Sequence, residues 1–139
     1  MCLDVITQNF HNNQVINKVK IGYKVFLVKN GSLYFPFYST NPLNFDTWYK
    51  DNPTGTFRAF EKGLYKKGFH LFKTKKDAKI FLNYHFPAKY AHSNKEGTYI
   101  ILKIKYNKVV AIGNQTRLKV VVAKEFYIPK SEFQKLIKT

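Results

Sequence analysis

The chain has 139 residues, 45% of them hydrophobic, which is enough for one α+β domain to bury a core without staples. Lysine and arginine outnumber aspartate and glutamate 24 to 8, a formal charge of +16 that calls for a negatively charged partner. Cys2 stands alone, which excludes an internal disulfide and a cysteine-based zinc site, and no run of eighteen apolar residues exists to cross a membrane.

The first ten residues, MCLDVITQNF, carry Asp4 where a secretory signal wants positive charge, so a soluble, intracellular protein is expected. Cys2 beside an acid lacks the electropositive setting that would make it reactive. The clearest element is a hairpin, IGYKVFLVK (21–29) and SLYFPFY (32–38), joined by Asn30-Gly31. Both turn residues tolerate the positive φ of a type I′ turn. Pro36 cannot donate to a ladder, so the second strand is an edge or ends there.

Residues 39–56, with Pro42, Pro53 and Gly55, read as a long loop. Trp48 and Tyr49 in its middle either fold back over the core or form a stacking platform. In residues 57–73 the stretch from Arg58 to Leu64 is expected to be irregular or a short helical turn, and Phe69 to Phe72 a short strand. Thr74 is an N-cap with Asp77 three positions on, opening a helix from Lys75 to about Tyr84. Ala78, Phe81, Leu82 and His85 form its apolar stripe, and Lys75, Lys76 and Lys79 lie opposite.

Pro87 stops the helix, and residues 86–97 connect it to three apolar runs at 98–106, 109–113 and 118–128. In TYIILKIKY one face is apolar and the other grades to lysine, while VVVA has the look of a central strand. After Pro129, Ser131 with Gln134 makes a second capping box for a terminal helix through Phe133, Leu136 and Ile137. Five or six strands and two short helices without β-α-β alternation point to a mainly antiparallel, twisted sheet or a partly closed barrel.

No glycine-rich phosphate loop and no H-E-x-x-H is present, and His11, His70, His85 and His92 are too scattered to suggest a metal site, so no cofactor is expected. Arg58 and Arg117 are the only arginines. Lysine is a point charge without the planar fork that reads base edges, so any nucleic-acid contact is expected at backbone phosphates. Such a surface would take Lys66, Lys67, Lys73, Lys75, Lys76 and Lys79 from the segment KKGFHLFKTKKDAKIF. His70 is the one further candidate there: it either joins an anion site at the start of the helix or bonds a backbone carbonyl beside a turn at Gly68. Trp48, Tyr49 and Tyr65 are the candidates for stacking on bases.

The layout GYKVF (22–26), GFHLF with KDAKIFL (68–82), KVVAIGNQ (108–115) and VVVAKEFYI (120–128) is similar to small proteins encoded by phages and other viruses. That resemblance implies a viral accessory protein in the cytoplasm of a host cell. The expected partner is nucleic acid or another phosphate-bearing ligand, or alternatively an acidic host protein met as a counter-defence factor. A looser resemblance, to ADP-ribosyltransferase-like folds, implies NAD chemistry at Tyr23, His70 and Glu125, although their order departs from the family pattern and no serine-threonine-serine strand precedes the glutamate.

Overall fold

A computed structural model describes residues 3–9, 18–36, 41–51, 56–58, 64–85 and 97–137. In chain order the strands are β1 (Val5–Asn9), β2 (Lys20–Lys29), β3 (Ser32–Tyr34), β4 (Trp48–Lys50), β5 (Thr56–Arg58), β6 (Leu64–Lys66), β7 (Phe69–Leu71), β8 (Thr98–Gln115) and β9 (Leu118–Tyr127). The helices are α1 (Lys75–His85) and α2 (Lys130–Ile137). Cys2, His11, His92, Pro87, the loop residues 37–40 and 52–55, and most of the 86–97 connector lie outside the described residues.

The 98–106 and 109–113 runs are one continuous strand, β8, of 18 residues. At roughly 3.3 Å per residue it would reach about 60 Å if straight, far beyond a domain of this length, whose radius of gyration is about 14 Å. It therefore has to bend, and the burial pattern shows where. Leu102, Ile104 and Tyr106 share one core cluster. Lys108 then takes a φ of 58°, and the ladder to β9 shifts between Val109 and Ala111. Beyond these two irregularities Val110 and Ala111 both face the second cluster. The partner strand switches faces at the same level: Val121 and Ala123 join the first cluster and so does Phe126, opposite Tyr106, so alternation breaks between Ala123 and Phe126. Bulges of this kind increase twist and allow a sheet to curl.

All pairings are antiparallel. On one side β8 pairs with β2 and, further along, with β1; on its other side β9 pairs with β8, β4 and β7. Past the end of β7 the chain returns to β2 through one residue pair. Tyr23 N donates to Phe72 O at 2.8 Å and Phe72 N donates to Tyr23 O at 2.9 Å. The order β2-β8-β9-β7 thus closes on itself through a single bridge, giving a curled, partly closed antiparallel barrel. Gly22 permits the approach: a Cβ there would lie 2.9 Å from both Leu71 Cδ1 and Phe72 O.

One core cluster fills the inside of the curl, with Phe26, Leu71, Leu102 and Phe126, and Phe133 of α2 reaches it stacked on Phe45 at 5.0 Å. The other cluster lies on the opposite face beneath α1, whose Ala78 and Phe81 are buried there. The Asn30-Gly31 turn forms as expected, with φ of 52° and 78°. Its second strand is the short edge β3, which ends at Tyr34 before Pro36. Thr74 caps α1, accepting from Asp77 N at 3.2 Å.

Four local expectations are corrected. The terminal helix starts at Lys130, so Ser131 is inside it; its cap comes from 84 residues away, where Asp46 Oδ1 accepts from Lys130 N at 3.1 Å. The loop at 39–56 contains β4, paired with Tyr127–Glu125 of β9. Arg58 and Leu64, expected to bound an irregular or helical stretch, face each other as the last pair of the two-stranded β5–β6 ladder; residues 59–63 between them lie outside the described residues. A strand at Val5–Asn9 was not anticipated at all.

Candidate nucleic-acid interface

Burial sorts the sequence-predicted residues into a buried set and an exposed set. His70 is buried, only 8% exposed, on the α1 side of the sheet. It pairs with Val122 on β9, and its Nε2 lies 3.1 Å from the Tyr65 hydroxyl. Leu3 N donates to that same hydroxyl oxygen at 2.8 Å. With its oxygen accepting from Leu3 N, the Tyr65 hydroxyl keeps its O–H to donate to Nε2 of the neutral ring. Burial, then the charge of Lys24, push the imidazole down to about 3, so it is neutral at physiological pH.

Lys24, which no sequence pattern singled out, is a buried cation inside the curl. It alternates with Phe26 along β2, points into the curl, donates from Nζ to His70 O at 2.6 Å and lies 5.7 Å from the centre of the Phe35 ring. Desolvation lowers it to about 8. It serves as a hydrogen-bond anchor for β7.

Of the stacking candidates, Tyr65 and Tyr49 pack against the core, and Trp48, next to Tyr49 on β4, is half-buried on the opposite face. Tyr65 is 1% exposed. Tyr49 stacks on Phe126 at 5.2 Å with its hydroxyl accepting from Asn44 N, and Trp48 packs on Tyr127 at 5.4 Å. Among the described residues Tyr84 is a largely exposed aromatic, 67% exposed at the end of α1.

The lysines divide differently. Lys73, Lys75, Lys76 and Lys79 are exposed, Lys67 is half-buried, and the side chain of Lys66 lies outside the described residues. Two lysines from elsewhere join them. Leu71 is level with Val121, so the ladder continued by two residues sets Lys73 level with Lys119. The Tyr23–Phe72 bridge sets Lys73 beside Gly22, two residues from Lys20. The Lys73 ammonium is lowered by desolvation and then by repulsion from Lys119 and Lys20. Three cations, from β2, β9 and the link after β7, therefore meet where the chain leaves the sheet and α1 begins, and α1 carries the row on through Lys75, Lys76 and Lys79, with Asp77 as the one acid in its first turn.

Glu125 has a different setting. It sits at the bend of β9, 8% exposed, with Lys108 Nζ at 3.4 Å and Lys50 Nζ at 3.8 Å. Tyr23, His70 and Glu125 thus have separate partners: the Phe72 backbone, the Tyr65–Gly68 network and two surface lysines. Among the described residues no three His, Cys, Asp or Glu side chains gather to hold a metal, and no helix is long and apolar enough to cross a membrane. Compared with protein families, curated proteins and solved structures, the chain matches none.

Proposed function

We propose that the protein binds nucleic acid through its backbone phosphates, on a lysine face running from Lys119 and Lys20 through Lys73 to Lys75, Lys76 and Lys79. The observation that carries this is the convergence of Lys20, Lys73 and Lys119, which lie far apart in sequence and repel one another in the folded chain. A fold that gathers like charges on one face favours an anion that neutralises several at once. A repeating phosphate backbone fits a row of point charges better than a single nucleotide, for which His70 would have been the ligand and is instead buried.

A face made mainly of lysines, point charges without a planar fork, gives strength with little base readout, so binding is expected to be weakly sequence-dependent and steeply salt-dependent. The viral accessory setting, inside a host cell, rests on the resemblance of GYKVF, GFHLF and VVVAKEFYI to phage and virus proteins. The transferase alternative draws no support from Tyr23, His70 and Glu125 as they are placed.

Gel-shift and anisotropy titrations with short single- and double-stranded DNA and RNA at two salt concentrations test the proposal. A shift at low salt that fades at high salt, and that changes little when the base sequence is scrambled, is expected. No shift of any of these at low salt would remove the reading.

A further inference from the structure

Beside this face lies a groove with a different character. Two clefts of about 260 and 140 Å³ adjoin between α2 and the β2–β8 pair, and both are lined by Lys103 and Glu132. The floor is apolar: Tyr23, Ile101 and Leu102 in the larger cleft, Ile21 and Ile104 in the smaller, with Leu136 of α2 on the wall. Ile21 is 53% exposed and Leu136 42%, so large aliphatic surface stands open to water. The rim is basic, formed by Lys75, Lys103, Lys105 and Lys135. Its single acid, Glu132, is matched by Lys135 at 3.3 Å, which leaves the rim with a positive excess.

We infer that this groove docks an acidic segment of a protein partner, one that sets an apolar side chain between carboxylates. The inference goes beyond phosphate binding and rests on the pairing of charge with an aliphatic floor. Carboxylates answer Lys75 and Lys103, and a leucine- or valine-type side chain covers Ile21 and Leu136, removing both from water. A phosphodiester backbone would meet the lysines but has no aliphatic group for the floor, and a base would seek an aromatic platform that the groove offers only in Tyr23. The register makes the site: Tyr23 opposite Lys103 and Ile21 opposite Lys105 alternate apolar and basic positions across one strand pair, so a segment of the same alternation matches it.

The test uses the full chain and three fluorescent probes of equal charge: a peptide alternating Asp or Glu with Leu, the same peptide with Ser in place of Leu, and a single-stranded oligonucleotide. The leucine peptide is expected to bind about tenfold more tightly than its serine counterpart, the difference one buried aliphatic side chain makes. It should also shift the methyl resonances of Ile21, Ile101 and Leu136. Leu136→Ser should weaken that peptide about tenfold and leave oligonucleotide binding unchanged, while Lys103→Glu weakens the peptide further. Equal affinity for the two peptides, or unmoved methyl resonances, would overturn the inference and leave nucleic-acid binding standing. Displacement of the leucine peptide by the oligonucleotide, with the same methyl shifts, would assign the groove to the phosphate face instead. Self-association that Leu136→Ser abolishes would assign it to a second copy of the chain.

Discussion

Lys24 and Lys73 both have ammonium groups lowered by desolvation, yet they belong to opposite sides of the same closure. Lys24 is inside the curl, its Nζ held by His70 O, and its environment is aromatic and neutral. Lys73 stands outside, its other depressing influences being two further lysines. A single residue pair, Tyr23 with Phe72, separates the two regions. In this fold, what surrounds a lysine decides whether its charge holds strands together or is presented outward.

The largest effect is expected where both regions depend on one contact. Gly22→Val puts side-chain atoms against Leu71 and the Phe72 carbonyl, which forces the bridge open. Loss of at least about 3 kcal/mol in denaturant unfolding is expected, with interior and exterior lost together. A variant that unfolds like wild type would show that the bridge does not join the two regions.

Next comes the acid side of the interior network. The folded-state value of His70, about 3, lies below the ordinary 6.5. The unfolded chain therefore binds the proton more readily, and stability falls as pH drops from about 6.5 towards 3, by something on the order of 4 kcal/mol. His70→Gln keeps a polar partner for Tyr65 while removing the titration, so it should flatten that part of a melting-temperature profile. Lys24 shows the same logic at the alkaline end. Its value of about 8 lies below 10.5, so the penalty is full below pH 8 and lifts as pH rises to 10.5, a gain of roughly 3 kcal/mol. Lys24→Met should abolish the rise between pH 8 and 10.5. Profiles unchanged by either substitution would contradict the interior half of the comparison.

A smaller effect is expected at Asp46, which caps α2 through Lys130 N and also accepts from the Tyr127 hydroxyl at 3.1 Å. Asp46→Ala should cost about 1 to 2 kcal/mol in thermal unfolding, and a cost near zero would mean that the loop does not hold the helix.

The fold was legible wherever a feature is local in sequence. Asn30-Gly31 specifies its turn by two adjacent residues, and Thr74 with Asp77 does the same for α1. The β8–β9 turn was not legible, because Thr116 and Arg117 adopt φ of 48° and 65° although neither is a turn residue by type; the long strands on either side impose the conformation. The α2 cap was hidden for a related reason, since nothing near Lys130 announces that Asp46 will be its partner.

The candidate surface was half legible. Lys73, Lys75, Lys76 and Lys79 lie in one segment and could be found by eye, whereas Lys20 and Lys119 join them only through strand register. The alternation in TYIILKIKY did mark Lys103 and Lys105 as facing away from the apolar positions, a signal that pointed to the groove without locating α2 beside it. His70 and Tyr65 were misplaced because composition cannot tell an aromatic-basic strand that faces inward from one that faces water; the alternation of His70 with the buried Leu71 was too short to decide it.

The smallest effect on stability and the most direct on function come from the exterior. Replacing Lys20, Lys73 and Lys119 together by Ala removes mutual repulsion, so unfolding should change by less than about 1 kcal/mol. The decisive measurement is the slope of log affinity against log salt concentration for a short DNA duplex, comparing wild type, this triple variant and Lys24→Met. Each phosphate contact contributes about 0.9 to that slope, so the triple variant should lose between about two and three and Lys24→Met nothing. A slope that the triple variant leaves unchanged, or that Lys24→Met lowers as much, would contradict the assignment of the outer lysines to phosphate and the inner one to the fold.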